Sequence, residues 1–550
     1  MKKKVKLISD FNIDLLYNYL NNNIDEKKYK IDKPNFEFFN SACYSTIKSF
    51  DNYHCIIIWN RIEGVIQSFS KLLNNEFNKK ILKNIYREVH AYINLIKKLS
   101  EKTDYLILTS WTIPYLETGH YLNDYTNEFG ISKNINKINL LISEKLRKLS
   151  NIFFLNIDFL MQRNFEPISR KLWYATKIPY NNKIFEIASK EFTHIIYSFS
   201  YSEKKLLALD LDNTLWGGEV GELGWENINL GGHNYAGEAF QDFQKKILAI
   251  KKSGVQLAII SKNEEQVAIE AFKKNKEMIL KLEDFAAWRI NWEDKAKNLN
   301  EIVNELNLSL DSCVFLDDSL SERNRIKTTF PQVLVPDLPD DPSNYVSILQ
   351  NLRCFNKSIY TNEDKLRTKY YKEDKDRQKI KTKFKSQNEW LKSLKMKATI
   401  EDVNKNNKTR VLQLINKTNQ MNLKTRRLTE KQLNSDLNNK NIQFKAIRLT
   451  DKFGDMGLIG LFSINLSRTK IDVLDFILSC RAFGRSIENL MFYYISLLAK
   501  KENIHKIFFK YVKTNKNKPC LNFLNSLKLK KNKNIYEYNF SYKVKKPNYF

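Results

Sequence analysis

The stretch LLALDLDNTLWGG, Leu206 to Gly218, joins an apolar run to two aspartates one residue apart. An apolar run of this length reads as a strand covered on both faces, and carboxylates at its end bring charge to the edge of a core, where charge is costly unless compensated. Downstream come AFQDFQKKILAIKKSG, VQLAIISKN, DKAKNLNEIVNELNL and SCVFLDD. Strand, helix, strand, helix, strand predicts a parallel sheet with crossovers. That order constrains residues 201–350 to an α/β layer architecture more tightly than any other feature of the chain.

In an open parallel sheet, ligands sit beyond the carboxyl ends of the strands. Three predicted strands end in polar residues: Asp210 and Asp212, Ser261 and Lys262, Asp317 and Asp318, while Lys295 lies near the start of the helix before the third strand. Carboxylates gathered in one cleft repel one another and take up protons unless a divalent cation neutralises them, and oxygen-only ligands favour magnesium. Magnesium with a lysine and a serine hydroxyl describes a phosphate pocket. On an extended strand end Asp210 and Asp212 point to the same side, so Asp210 can attack phosphorus while Asp212 handles protons. A single aspartate in such a place is usually a helix cap or a turn residue. It is the four segments in order that point to chemistry.

The motifs DLDNTLWGGEVGELGWENINLG, IISKN, NWEDKAKNL and FLDDSLSERNRI resemble the four motifs of haloacid-dehalogenase superfamily phosphatases. The details WGGEVGE, SKNEEQV, FAAWRINWEDKA and VLVPDLPDDP are similar to the FkbH-like branch, within subfamily IIIC. The resemblance implies Asp210 as nucleophile, Asp212 as acid and base, and Ser261 and Lys295 as phosphate contacts. It implies magnesium on Asp210, the Asp212 backbone carbonyl and Asp317 or Asp318. The gaps between Asp212 and AFQDFQKKI, and between Ser261 and Lys295, hold a short hairpin and a helix with a loop, so no large cap is expected.

At 550 residues the chain has room for several domains. Residues 1–200 mix short apolar runs (YLILTSW, IFFLNIDFL, HIIYSFS) with amphipathic stretches, which predicts another α/β unit. Its opening KLISDFNID, with Ser9, Asp10 and Asn12, is similar to the first block of SGNH hydrolases. The late Asp-x-x-His that a working esterase needs is absent, since Asp158 is followed by Met161. A degenerate, non-catalytic SGNH-like domain is expected. Residues 351–395 are highly charged and read as an exposed helical connector.

Residues 396–550 return to strand-rich composition (IQFKAIRL, MGLIGLFSI, IDVLDFILSC) followed by the helical ENLMFYYISLLAKK. They resemble the carboxy-terminal part of FkbH-like proteins, which is similar to the Gcn5-related (GNAT) acyltransferase fold. There an R-x-x-G-x-G/A loop grips coenzyme A or a carrier-protein arm. The matching residues are Arg481, Gly484 and Ser486, with serine where glycine or alanine is usual. By itself such a loop is equally a plain strand-to-helix turn. Cys480 stands beside it, either as an acyl-carrying thiol or as the small buried residue that most free cysteines are. Lys424, Arg426, Arg427 and Arg485 offer basic surroundings for an acidic acyl carrier protein.

The formal charge of +29 is spread along the chain and forms no single stripe, so it steers toward acidic partners in general and makes a nucleic-acid-binding or scaffold protein the least favoured reading. Six scattered cysteines without a CxxC pair fit a reducing compartment. Asp10, Asn12 and Asp14 interrupt any signal-peptide core, and no long apolar run suggests a membrane span, so a cytoplasmic protein is expected. The reading is an α/β protein of three domains with a phosphorylated small-molecule substrate. Its expected activity is a magnesium phosphatase coupled to acyl transfer, from a phosphorylated three-carbon acid such as 1,3-bisphosphoglycerate to a carrier-protein thiol. A plain phosphatase on a sugar phosphate or carrier-linked phosphate is the alternative.

Overall fold

Three β-sheets take up most of the apolar runs in the computed structural model. It describes every residue except 1, 36, 75, 115–121, 150, 163–167, 200–203, 233, 356–369, 371, 372, 374–376, 378, 379, 382, 515, 528 and 540–543. The chain divides into two compact units, 1–200 and 201–550.

In the first unit, β1 (Lys3–Ile8), β2 (Tyr29–Ile31), β3 (Tyr53–Ile58), β4 (Thr103–Thr109) and β5 (Ile152–Leu155) form a parallel sheet in the order β2-β1-β3-β4-β5. Successive side chains of a strand face opposite ways. Ile56, Ile58, Leu106 and Leu108 accordingly pack into one core, and Cys55, Ile57 and Ile107 into the other. The run HIIYSFS is not a strand: all but its last two residues belong to the helix Asn182–Ser198, whose buried face includes Phe192 and Ile196.

The second unit begins with β6 (Leu206–Leu209), β7 (Gln256–Ser261), β8 (Phe285–Ile290) and β9 (Cys313–Leu316), all parallel, in the order β8-β7-β6-β9. Every residue of β6 is buried. Leu207, Leu209, Leu257 and Ile259 face one core, and Leu206, Ala208, Ala258 and Ile260 the other. Strand β8 went unread in the sequence. Its FAAWRI lies at the sheet edge, buries only half its residues, and carries two alanines that weaken a strand signal.

Further along lie β10 (Lys397–Asp402), β11 (Met421–Asn422), β12 (Ile442–Asp451), β13 (Gly454–Leu466), β14 (Ile471–Leu478), β15 (Lys506–Lys510), β16 (Lys530–Asn532) and β17 (Ile535–Asn539). They form one mixed sheet in the order β10-β12-β13-β14-β15-β17-β16. β14 and β15 run parallel only over Ile471–Val473. At its far end β14 pairs instead with β11, through Ile477 and Leu478. The parallel pair is therefore open beyond Val473, and the strand end that leads to Cys480 lies on the opened side. Much of the expected 351–395 connector falls outside the described residues; Gln387–Ser393 is helical. No helix among the described residues is long and apolar enough to cross a membrane.

Candidate active site

Register brings the acidic strand ends together. Leu209 is level with Ile259 of β7 and Leu316 of β9, and the Asp210 amide donates to the Leu316 carbonyl at 3.0 Å. Asp210 and Asp317 therefore leave neighbouring strands side by side, with Ser261 ending the strand on the other flank. Lys295 is the first residue of the helix Lys295–Glu305, whose start is fixed by Asp294 accepting from the Ala296 amide at 2.7 Å. Arg325 holds Asp294 in turn at 2.7 and 2.9 Å.

Lys295 Nζ lies 2.9 Å from Asp210 Oδ2 and 2.7 Å from Asp317 Oδ2, with all three side chains buried. Oxygens of Asp210, Asp317 and Asp318 lie within 4.8 Å of one another. Asp210 Oδ1 is buried and has no hydrogen-bond partner among the described residues. Three carboxylates that converge in this way, one of them with a buried oxygen left over, are the donor set of a hard divalent cation, so the residues present fit such an ion.

The surroundings are built to hold this acidic loop. Asp317 Oδ1 accepts from the Ser319 amide at 2.9 Å, and Asp318 exchanges hydrogen bonds with the Thr214 hydroxyl at 3.2 and 3.3 Å. Buried Arg323 donates through Nη1 to the carbonyls of Asp317 (2.9 Å) and Asp318 (2.5 Å). Burial, then the charge of Asp210, pushes the Asp317 carboxyl up to about 7 against the pull of Lys295, and the same two causes raise Asp318. Burial acts to lower the Lys295 pKa, but Asp210 and Asp317 outweigh it and the net direction is up.

A pH dependence follows for the cation-free chain. Folded Asp317 keeps its proton up to about pH 7, whereas an unfolded aspartate releases it near pH 4. The carboxyl's contribution to stability is thus full below about pH 4 and is lost as pH rises toward 7. Asp317→Asn should remove this slope: in chelator, urea denaturation between about pH 4 and pH 8 should favour the variant progressively over the wild type. Parallel curves would contradict the assignment.

Asp212 is held differently. Its Oδ1 accepts from Trp216 Nε1 (2.8 Å) and the Val220 amide (3.1 Å), and its Oδ2 from Asn263 Nδ2 (2.7 Å). Asn263 also reaches the buried Ser261 hydroxyl at 3.4 Å. The hairpin that carries Trp216 is closed by a Gly217–Asn229 bridge and turns at Gly218, where φ is +88° and a Cβ would come within 2.4 Å of Leu223. Sequence reasoning missed Trp216, Asn263, Thr214 and Arg323, although each lies inside a quoted motif. Lys262 is turned to the flank, where it pairs with Glu322 at 2.7 Å.

At the second candidate site Cys480 opens a short 3-10 turn after β14, ahead of the helix Ile487–Lys501. Gly484 (φ +73°) and Ser486 (φ +58°) are both left-handed. That is the backbone reason small residues suit these positions, and serine at 486 tolerates it at some strain. The Arg481 guanidinium stacks 4.6 Å above the Tyr370 ring, and Arg485 donates to the Arg481 carbonyl. The expected basic surroundings are largely spent inside the fold. Arg426 forks onto buried Asp475 (2.7 and 2.5 Å) and reaches Asp436, and Arg427 ties the Ile415 carbonyl at 2.8 Å.

In the first unit Ser9 Oγ accepts from the Phe11 amide at 3.2 Å, and buried Asp10 is taken by Arg61 at 2.8–3.0 Å. His54 pairs with Asp104 near the opposite end of β3 from Asn60 and Arg61.

Comparison with solved structures finds the N-terminal part of the protein BF1531 from Bacteroides fragilis, which contains a phosphatase domain and was crystallised with magnesium. It is 29% identical, with a TM-score of 0.57, over 65% of this chain and 95% of that one. Two shorter likenesses are a coenzyme A complex of the PaiA N-acetyltransferase from Thermoplasma acidophilum (14% identity, TM-score 0.21, 26% of this chain and 99% of that one) and the ribosomal-protein-S18-alanine N-acetyltransferase from Escherichia coli (8%, 0.22, 27% and 96%). No protein-family model and no curated protein matches the chain.

Proposed function

We propose that the chain is a magnesium-dependent phosphatase coupled to acyl transfer, taking a phosphorylated three-carbon acid of the 1,3-bisphosphoglycerate type and delivering its acyl group to a carrier-protein thiol. The observation that carries the phosphatase part is the convergence of the Asp210, Asp317 and Asp318 carboxylates beside Lys295, with Asp210 Oδ1 buried and without a hydrogen-bond partner among the described residues. Likeness to a magnesium-bound phosphatase-domain structure at 29% identity supports it.

Asp210, Asp317 or Asp318, and the Asp212 carbonyl would hold magnesium, which supplies positive charge to the phosphoryl oxygens. One oxygen of the Asp210 carboxylate attacks phosphorus, and the ester oxygen leaves with a proton from Asp212. Asp212 then takes a proton from water as the water displaces Asp210, returning the carboxylate and releasing phosphate. Ser261 and Lys295 bind phosphoryl oxygens. Trp216 and Asn263 keep the Asp212 carboxyl turned to its task.

The acyl part rests on different chemistry. An acyl phosphate is activated, so the Cys480 sulfur adds to the carbonyl, its proton departs with the phosphate, and a thioester forms that a carrier thiol displaces, returning the Cys480 thiol. An ester phosphate is not so activated, which gives one chain reason to hold both sites. The left-handed loop at Gly484 and Ser486 would receive the pantetheine arm of the carrier or of coenzyme A. Incubating the full chain with 1,3-bisphosphoglycerate, magnesium and pantetheinylated acyl carrier protein should add an acyl mass to the carrier. Phosphate release with every tested carrier left unmodified would reduce the function to phosphatase alone.

A further inference from the structure

Of the chain's eight tryptophans, one has no packing role. Trp59, Trp111, Trp216 and Trp390 are buried, Trp173 is covered by the Arg61 guanidinium at 3.9 Å, Lys274 lies over the Trp225 ring at 5.7 Å, and Trp288 Nε1 donates to Glu265 at 2.8 Å. Trp292 is 75% exposed, and its indole has no ring, cation or hydrogen-bond contact among the described residues. Its backbone is nonetheless held. The Asn291 amide donates to the Ser261 carbonyl at 3.0 Å, and Asn291 Oδ1 accepts from the Glu293 amide at 3.1 Å and from buried Asn298 at 2.8 Å. The turn that carries the indole is thus tied at one end to Ser261 and runs at the other into Lys295, the two expected phosphate contacts.

Trp292 belongs to a pattern. Within the sheet of β6–β9 and its helices, residues 204–355, the large apolar side chains that stand exposed are Leu223, Tyr235, Trp292 and Leu320. Each lies between the carboxyl end of a strand and the first residue of the long helix that follows, that residue included, so all four are at the end of the sheet where Asp210, Ser261 and Asp317 stand. The opposite end has none among the described residues. Exposed apolar side chains gathered around a polar site mark a surface that takes a ligand. Trp292 follows β8 and Leu320 follows β9, the two outer strands, whose ends are about 14 Å apart with the carboxylates between them. The segment between β6 and the helix Tyr235–Lys252 is a hairpin with the four-residue helix Val220–Leu223, too short to fold as a cap over this end.

We propose that this rim gives the Asp210 site a second substrate class, phosphate monoesters whose alcohol carries a flat apolar ring, with the Trp292 indole as the residue that selects them. The proposal rests on the phosphatase part of the function above and is independent of the acyl part. Aromatic pairs attract one another beyond the area they bury, whereas the negative face of an indole offers nothing to the carboxylate of a three-carbon acid. The chemistry is unchanged. An Asp210 oxygen bonds to phosphorus as the ester P–O bond breaks, the alcohol leaves with the proton of Asp212, and water releases phosphate, returning the Asp210 carboxylate and the Asp212 proton. Trp292 meets only the alcohol, so it acts on binding and not on bond making.

Benzyl phosphate and glycerol 3-phosphate test this, since both are esters of primary alcohols and one carries the ring. With the full chain and magnesium, Trp292→Ala should raise KM for benzyl phosphate about tenfold, keep its kcat within about twofold, and leave both constants for glycerol 3-phosphate unchanged; Trp292→Phe should restore most of the loss. Equal effects on the two esters, no effect on either, or turnover of glycerol 3-phosphate without turnover of benzyl phosphate would overturn the proposal. A second readout needs no turnover. In calorimetric titrations with magnesium present, benzylphosphonate should bind the wild type about tenfold more tightly than ethylphosphonate, and Trp292→Ala should abolish that preference. A Trp292-dependent preference in a chain that releases no phosphate would sink the phosphatase reading and leave the ring contact standing. Phosphate release without the preference would do the reverse.

Discussion

Asp210→Asn should lower magnesium-dependent phosphate release by about ten-thousand-fold or more, with substrate binding affected far less. The amide is isosteric with the carboxylate but is a poor nucleophile, so the two-step path is closed while Ser261, Lys295 and Asp317 remain to bind the phosphoryl group. The size of the expected loss follows from how the site is wired. Lys295 engages Oδ2 at 2.9 Å and Oδ1 has no hydrogen-bond partner among the described residues, so the carboxylate is held in place without both of its oxygens being occupied. Steady-state assays on a generic phosphate ester and on 1,3-bisphosphoglycerate, each with and without magnesium, check this. Release by the variant within about tenfold of wild type would rule out Asp210 as nucleophile.

Lys295→Met should produce the largest stability change of any single substitution at the site. Methionine keeps the length of the apolar stem and removes the charge, leaving Asp210 and the fully buried Asp317 facing each other without a cation. Breaking a buried ion pair in this way costs about 3–5 kcal/mol, because the remaining charge has neither water nor a partner. Magnesium should restore more stability to the variant than it adds to the wild type, since an added cation replaces the missing neutralising charge and binds only the folded chain. Thermal melts of both proteins, in chelator and in magnesium, measure this directly. Equal melting in chelator would show that Lys295 does not balance the carboxylates.

The site was legible because parallel strands place their ends in register, so an aspartate closing LLAL and another closing CVFL had to become neighbours once the strands paired. What was not legible depends on side-chain direction. Nothing in IISKN says that Asn263 turns back onto Asp212, because a loop residue's direction is set by its turn. Nothing in DNTLWGG says that the Trp216 indole donates to that carboxyl four residues earlier. The sequence offers Arg426 and Arg427 as basic surroundings for a carrier protein, since arginine is ordinarily a surface residue. The contrary signal was Asp475, set among the apolar residues of VLDFIL: a carboxylate buried in a central strand requires a cation, and Arg426 supplies it. The edge strand β8 escaped because a short strand open on one side has little periodicity to read.

Phosphorylation of Asp210 is the event that decides whether this chain is a phosphatase of this kind. Wild-type and Asp210→Asn chains would be mixed with excess phosphate ester and magnesium, quenched in acid within the first turnover, and digested for peptide mass spectrometry. One phosphoryl group should appear on the peptide that contains Asp210, formed only with magnesium and lost on treatment with hydroxylamine. Full-rate phosphate release by the wild type, with no adduct at any quench time and no loss of rate in Asp210→Asn, would contradict it.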